Sequence, residues 1–187
     1  MNFNQSVFDL IYGFAHRSVF LDAAGVFFAN DLPYLLVLGF LIFAFRQKGS
    51  RMKFLVFAEG ALAVILARGI VDEVIRFFYH HLRPEGALGI TPLIAENGYS
   101  FPSGHASFFF ALSMVIFFYS RRLGAWYFVL SATNGFARIF VGVHWPLDIL
   151  GGIVTGIVCG IIVRMLTKPT FTKMRKEAPD ILPQQPA

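Results

Sequence analysis

The sequence predicts an all-α fold: a polytopic transmembrane helical bundle of about five spans, preceded by an N-terminal interfacial segment, five or six helices in all. Three observations predict it. Of 187 residues, 56% are hydrophobic and only 14% are charged, against about 25% charged in soluble domains, and the mean hydropathy is +0.63. Apolar stretches close to the ~20 residues that cross ~30 Å of hydrocarbon recur along the chain. The basic residues gather in every other connection between those stretches, as the positive-inside rule requires. The composition excludes a disordered chain, a coiled coil and a nucleic-acid-binding domain. A single cysteine excludes an internal disulfide framework and a cysteine-based zinc site.

The elements follow in order. Phe3–Ala15 is apolar on one side but carries Asp9, and His16 and Arg17 follow directly. It reads as a helix lying against the bilayer, and residues 1–19 form an N-terminal segment. The transmembrane domain occupies 20–166. Its first span covers Leu32–Phe45 and reaches crossing length only if the helix starts near Phe20, ahead of Pro33. Phe54–Ile75, Gly104–Tyr119, Gly124–Val143 and Pro146–Val163 supply the other four. Residues 167–187, with four prolines, read as a disordered cytoplasmic tail. Gly152, Gly156 and Gly160 form a small-residue ridge on the last span, suited to close packing inside the bundle.

Eleven of the 16 basic residues fall in the loops assigned to the cytoplasm: Arg46, Lys48, Arg51 and Lys53; Arg121 and Arg122; Arg164, Lys168, Lys173, Arg175 and Lys176. The C-terminus is therefore expected inside and two connections outside, 76–103 and the stretch around His144. The remaining basic residues are Arg17, Arg68, Arg76, Arg83 and Arg138. Ionisable groups at membrane depth are costly and usually functional. Arg68, Asp72 and Arg76 step by four along one helical face, so Asp72 either neutralises Arg68 or holds Arg76 in place, the first being the default.

Three clusters near the outer face carry chemistry. Arg76 and Arg83 stand seven apart, with Pro84 turning the chain. Pro102-Ser103-Gly104-His105 opens a helix, where free backbone N–H groups and a hydroxyl can cradle an anion. Arg138 precedes His144 and Asp148, which are four apart. An Asp that accepts from one imidazole nitrogen leaves the other free to attack. Each cluster alone has an ordinary structural reading: snorkelling arginines, a Ser103 N-cap, and an Asp at a helix start. Together, at one end of one bundle, those readings weaken.

The pattern Arg76-x6-Arg83-Pro84, then Pro102-Ser103-Gly104-His105, then Arg138-x5-His144-x3-Asp148 resembles the three-part signature of the type-2 phosphatidic-acid phosphatase superfamily, in its membrane branch. Two positions depart from the family: Arg76 stands where Lys is usual, and Ala137 where a phosphate-binding Ser is usual. The resemblance implies His144 as nucleophile forming a phosphohistidine and Asp148 orienting it. It implies His105 as the acid that protonates the leaving oxygen and then activates water, protonated while His144 is neutral. Arg76, Arg83, Arg138, Ser103 and the Gly104 N–H would hold the phosphate oxygens. No metal or other cofactor is expected, since three arginines can stabilise the transferred group.

In overall shape the chain looks most like the small bacterial undecaprenyl-diphosphate phosphatases. The expected reaction is undecaprenyl diphosphate to undecaprenyl phosphate plus phosphate, at the periplasmic or extracellular side of a plasma (inner) membrane. Phosphatidylglycerophosphate, phosphatidic acid or lipid A phosphatase activity is the alternative, and a non-catalytic lipid transporter the reading from another class. The expected partners are the lipid phosphate and membrane lipids, with no nucleic acid, and the oligomeric state is left open. The 17 residues between Pro84 and Pro102 read as a lid. His80 and His81 just ahead of it, and Glu85, Glu96 and Tyr99 within it, are assigned to solvation or packing.

Overall fold

Apolar periodicity becomes helix throughout: among the described residues, 3–177 of a computed structural model, helix is the regular structure and there is no strand. Seven helices follow in chain order: α1 (Phe3–Tyr12), α2 (Val19–Phe45), α3 (Ser50–Phe78), α4 (Pro84–Leu88), α5 (Gly104–Tyr119), α6 (Arg121–Phe140) and α7 (Pro146–Glu177). Of these, α2, α3 and α7 over Pro146–Lys168 are long and apolar enough to cross a membrane. The 16-residue α5 is the shorter apolar helix at the centre, packed against α3, α6 and α7. Large apolar side chains face outward along the long helices, among them Phe20, Phe54, Trp126 and Leu166, the inversion expected of a lipid-facing surface.

At 10 residues, α1 is about 15 Å long and cannot span. It docks on the end of the bundle where α7 begins. Phe8 is fully buried with its ring 5.0 Å from Trp145, and Asn4 Oδ1 accepts the Leu147 N–H at 3.0 Å.

Pro33 does not end α2, and the reason is visible in the hydrogen bonds. A π-helical turn over Phe27–Asp31 makes the Leu32 N–H donate to Phe27 O, five residues back. The next donor would be Pro33, which has no N–H. The stranded carbonyls are taken by Asn134 of α6, whose Nδ2 donates to Phe28 O at 2.7 Å and Ala29 O at 3.2 Å. A second π-helical turn, Ile65–Val71, interrupts α3.

At the other end of the bundle a buried carboxylate joins three helices. Glu59 of α3 is 0% exposed. It accepts from Arg164 Nη1 of α7 at 3.0 Å, from Tyr119 OH of α5 at 2.8 Å and from Thr167 Oγ1. Glu59 had no role legible in the sequence; here it ties the bundle together.

The last helix does not stop near Leu166. It continues to Glu177, so the first half of the expected disordered tail is helical. Residues 178–187 of that expected tail lie outside the described residues.

Replacing Glu59 by Ala removes the buried carboxylate to which Arg164, Tyr119 and Thr167 all donate and is expected to cost about 3 kcal/mol. Thermal unfolding in detergent should fall by several degrees, with Glu59→Gln losing less. Equal melting curves would show that this clasp contributes nothing to stability.

Candidate active site

The site begins with the close approach of two backbones. A Cβ on Gly152 would lie 2.6 Å from Ser103 O and from the Ala106 Cβ, one on Gly156 2.5 Å from Ser107 O, and one on Gly160 2.8 Å from the Met114 Cβ. The glycine ridge therefore packs within the bundle, on α5. At its upper end the Ser103 N–H donates to Asp148 O at 3.0 Å. The Pro102–His105 turn and the His144–Asp148 pair are placed side by side by this contact.

His144 is 1% exposed, in the turn between α6 and α7. Its Nδ1 lies 3.4 Å from Asp148 Oδ2 and its Nε2 lies 3.4 Å from Arg83 Nη1. Arg83 can only donate, so Nε2 is the acceptor and Nδ1 carries the proton toward Asp148. That is the tautomer a nucleophile at Nε2 needs. Burial pushes the His144 pKa down to about 3. The Asp148 hydrogen bond opposes the shift, and the Arg138 and Arg83 charges add to it. The imidazole is thus neutral at any physiological pH.

Asp148 is held from several sides. It sits at the third position of α7 and accepts the Trp145 N–H at 2.7 Å, half of a capping box. The helix-start reading therefore holds for this residue, which at the same time lies against the His144 ring. Ser100 Oγ donates to the same oxygen, and His81 Nδ1 lies 3.3 Å from the other. His81, assigned from sequence to packing or solvation, belongs to the site.

The arginines converge from three elements. Arg83, just ahead of α4, donates to Gly98 O at 3.0 Å, Val143 O at 2.8 Å and Glu96 Oε2 at 3.2 Å. Burial lowers its pKa to about 10, with Arg76 and Arg68 adding to the effect and Asp148 opposing it, so it stays charged. Arg138 of α6, 2% exposed, donates to the same Glu96 oxygen, which lies 3.8 Å from His144 Nε2. The lid thus delivers a carboxylate to the point where two arginines and the candidate nucleophile meet. The solvation reading of Glu96 is wrong. The sequence signal, one acid on a loop between two arginine clusters, was too weak to identify it.

Arg76 Nη2 donates to Pro102 O at 2.7 Å, fixing the fork against the Ser103 turn. Asp72, expected to neutralise Arg68 or to hold Arg76 in place, acts on both arginines through its charge and not through a hydrogen bond to either. Asp72 is fully buried and accepts from Ser107 Oγ at 2.9 Å. Glu73 instead receives Arg68 Nη1 and, at 3.0 Å, Arg76 Nη1, both on Oε1. The π-helical turn explains the change: it inserts a residue into the register, so Arg68 meets its partner five positions on instead of four.

Ser103 does not act as a side-chain N-cap. Its hydroxyl is buried without a partner, as are Arg76 Nε and Arg138 Nε, three of the five such polar atoms found among the described residues. Leaving a buried donor unpaired costs about 1–3 kcal/mol, and all three belong to residues expected to bind phosphate. Gly104 leaves space that Arg68 fills, for a Cβ there would overlap Arg68 Nε and Cδ. A cavity of about 490 Å³ is lined by Arg68, Arg76, Arg83, Glu96, Gly104 and His105 on its polar side, and by Val37, Phe108 and Phe109 on its apolar side. Every candidate site residue predicted from sequence is therefore in or around one cluster. Ala137 is buried with Ala29, Val141 and Val143. Among the described residues no cluster of three or more His, Cys, Asp or Glu side chains is arranged to hold a metal ion.

Comparisons with known proteins bear on this geometry. Residues 57–171 match the PAP2 superfamily. The undecaprenyl-diphosphatase BcrC of Bacillus subtilis (strain 168) is 30% identical over 162 residues, 85% of this chain and 81% of that one. The phosphatidylglycerophosphatase B of the same organism is 26% identical over 145 residues, 71% of this chain and 66% of that one. The crystal structure of Aquifex aeolicus LpxE superposes with a TM-score of 0.71 at 28% identity, covering 87% of this chain and 95% of that one. The matched region contains all three clusters, and the fold gathers them beside one cavity in a bundle of apolar helices. The chain is a multi-pass membrane protein and belongs to the PAP2 superfamily.

Proposed function

We propose that this protein is a lipid diphosphatase that removes the terminal phosphate of undecaprenyl diphosphate at the outer face of the membrane. The observation that carries the reading is the His144 environment: Nδ1 toward Asp148, Nε2 toward Arg83, and beside Nε2 a carboxylate, Glu96, that Arg83 and Arg138 both hold. A terminal phosphoryl group taking the place of that carboxylate meets the nucleophile and two charged donors at once.

The steps follow from the groups present. His144 Nε2 forms a bond to phosphorus as the bond from phosphorus to the bridging oxygen breaks. His105, in the cavity wall, gives its proton to the departing oxygen. Water then attacks the phosphohistidine, His105 takes a water proton, and the N–P bond breaks to release phosphate. Asp148 stabilises the positive imidazole between the two steps. Arg76, Arg83, Arg138, Ser103 Oγ and the Gly104 N–H hold the non-bridging oxygens, where charge in the transition state is concentrated. The distribution of basic residues supports a cytoplasmic Glu59 end and an outer His144 end, and the identity to BcrC supports the diphosphate. Phosphatidylglycerophosphate is the second candidate substrate, favoured by the likeness to phosphatidylglycerophosphatase B.

Phosphate release in detergent from undecaprenyl diphosphate, phosphatidylglycerophosphate, phosphatidic acid and lipid A tests the reading. The diphosphate should give the highest kcat/KM, and a purified, folded protein that releases phosphate from none of them would overturn it. His144→Ala should lose at least about 10⁴-fold in kcat, and His105→Ala about 10²–10⁴-fold.

The pH dependence is a separate check. Because burial holds His144 neutral, kcat/KM corrected for substrate ionisation should carry no rising limb from it between pH 5 and 8. A rising limb that disappears in His144 variants with residual activity would contradict the assignment.

Glu96→Gln removes the resident anion. Inorganic phosphate should then inhibit at about 10-fold lower concentration, the scale of one charge-assisted hydrogen bond. An unchanged inhibition constant would show that Glu96 does not compete for the phosphoryl position.

A further inference from the structure

The cavity holds one arginine more than the three-cluster pattern calls for. Arg68 lies eight residues ahead of Arg76, in the π-helical turn of α3. Its guanidinium packs over Gly104 at the start of α5, where any side chain would displace it. It lines the same cavity as Arg76, Arg83 and His105. Transmembrane arginines are rare, and this one remains about 39% exposed, toward the cavity instead of sealed in packing.

Two carboxylates show where the arginines hold anions, Glu96 in the cavity wall and Glu73 on two of the lining arginines. Glu96 is gripped by Arg83 and Arg138, beside His144. Glu73 is gripped by Arg68 and Arg76, on a single oxygen. Two pairs of arginines, each holding one anion, suit a ligand with two linked phosphoryl groups better than a ligand with one. Arg76 of the second pair, anchored on Pro102 O, lines the cavity together with Arg83 of the first.

We infer that Arg68 is a specificity-determining residue that binds the second, lipid-proximal phosphoryl group, and so selects lipid diphosphates over lipid monophosphates. The terminal group occupies the Glu96 position against His144, and the proximal group accepts hydrogen bonds from Arg68 and Arg76 in competition with Glu73. Loss of Arg68 leaves the nucleophile, the acid and the terminal cradle in place. It removes one bidentate donor that a monophosphate does not engage. The inference rests on the diphosphatase reading above and adds the residue that makes the choice.

The test uses farnesyl diphosphate and farnesyl monophosphate, which share a tail and differ by one phosphoryl group. The readout is the ratio of kcat/KM for the two, in the full-length protein in detergent. Arg68→Gln should lower that ratio about 10- to 100-fold, the range for charge-assisted hydrogen bonds, with the loss appearing mainly in KM. Arg68→Lys, which keeps the charge but not the fork, should recover part of it. Glu73→Gln, which frees both arginines, should raise the ratio, and it serves as the independent arm if Arg68→Gln does not fold. A ratio unchanged within about 2-fold in Arg68→Gln, or lowered in Glu73→Gln, overturns the role of Arg68. Wild type that prefers the monophosphate overturns the diphosphatase reading and this inference together; wild type that prefers the diphosphate, with an unchanged Arg68→Gln ratio, overturns only the inference.

Discussion

The arrangement depends on how closely α5 and α7 approach. Three glycines, one per turn, let the backbone of α7 lie against Ser103 O, Ser107 O and the Met114 side chain. The contact is van der Waals packing in a setting where lipid offers no hydrophobic drive for helices to associate. Its functional content is positional. The two chemically active turns come from different helices, and the ridge is what puts their backbones within one hydrogen bond of each other, Ser103 N–H to Asp148 O. A larger residue at Gly152 would separate the proposed acid and nucleophile before it disturbed either one.

The second constraint is electrostatic. Arg138 and Arg83 are almost wholly buried, and isolated charges in such a place are prohibitively costly. Glu96 supplies the counter-charge to both, Glu73 does the same for Arg68 and Arg76, and the carbonyls of Gly98, Val143 and Pro102 take further donors. The site is thus assembled and locally compensated without substrate, leaving only selected donors such as Ser103 Oγ without partners. Preorganisation of this kind is what allows fixed donors to favour a transition state without reorganising.

Much of this was legible in the sequence because it is local. The three clusters are short, their spacings are set by helix geometry, and the spans are set by bilayer thickness. Arg76, Arg83, Ser103, Gly104, His105, Arg138, His144 and Asp148 all gather at one end of the bundle, as the spacing suggested. What could not be read depends on contacts distant in the chain or on a change of helical count. Glu96 reaches Arg138 across 42 residues, and Glu59 reaches Arg164 across 105; neither leaves a periodic signal. The Arg68–Glu73 contact was not legible because a regular 3.6-residue repeat does not hold through Ile65–Val71, where the chain adopts a wider turn. The extension of α7 to Glu177 was missed because a proline-containing, charged stretch reads as coil when its attachment to a long helix is ignored.

Pro33 and Asn134 give this bundle something apolar packing does not supply: a rotational key. An apolar interface between two helices tolerates small rotations, because one greasy face resembles the next. The carbonyls exposed ahead of Pro33 accept only a donor, and Asn134 offers it at one angle of α6 about its axis. Arg138 sits one turn further along that same helix. The break in α2 therefore sets the azimuth of the arginine, so that a flaw in one helix aims the side chain of another.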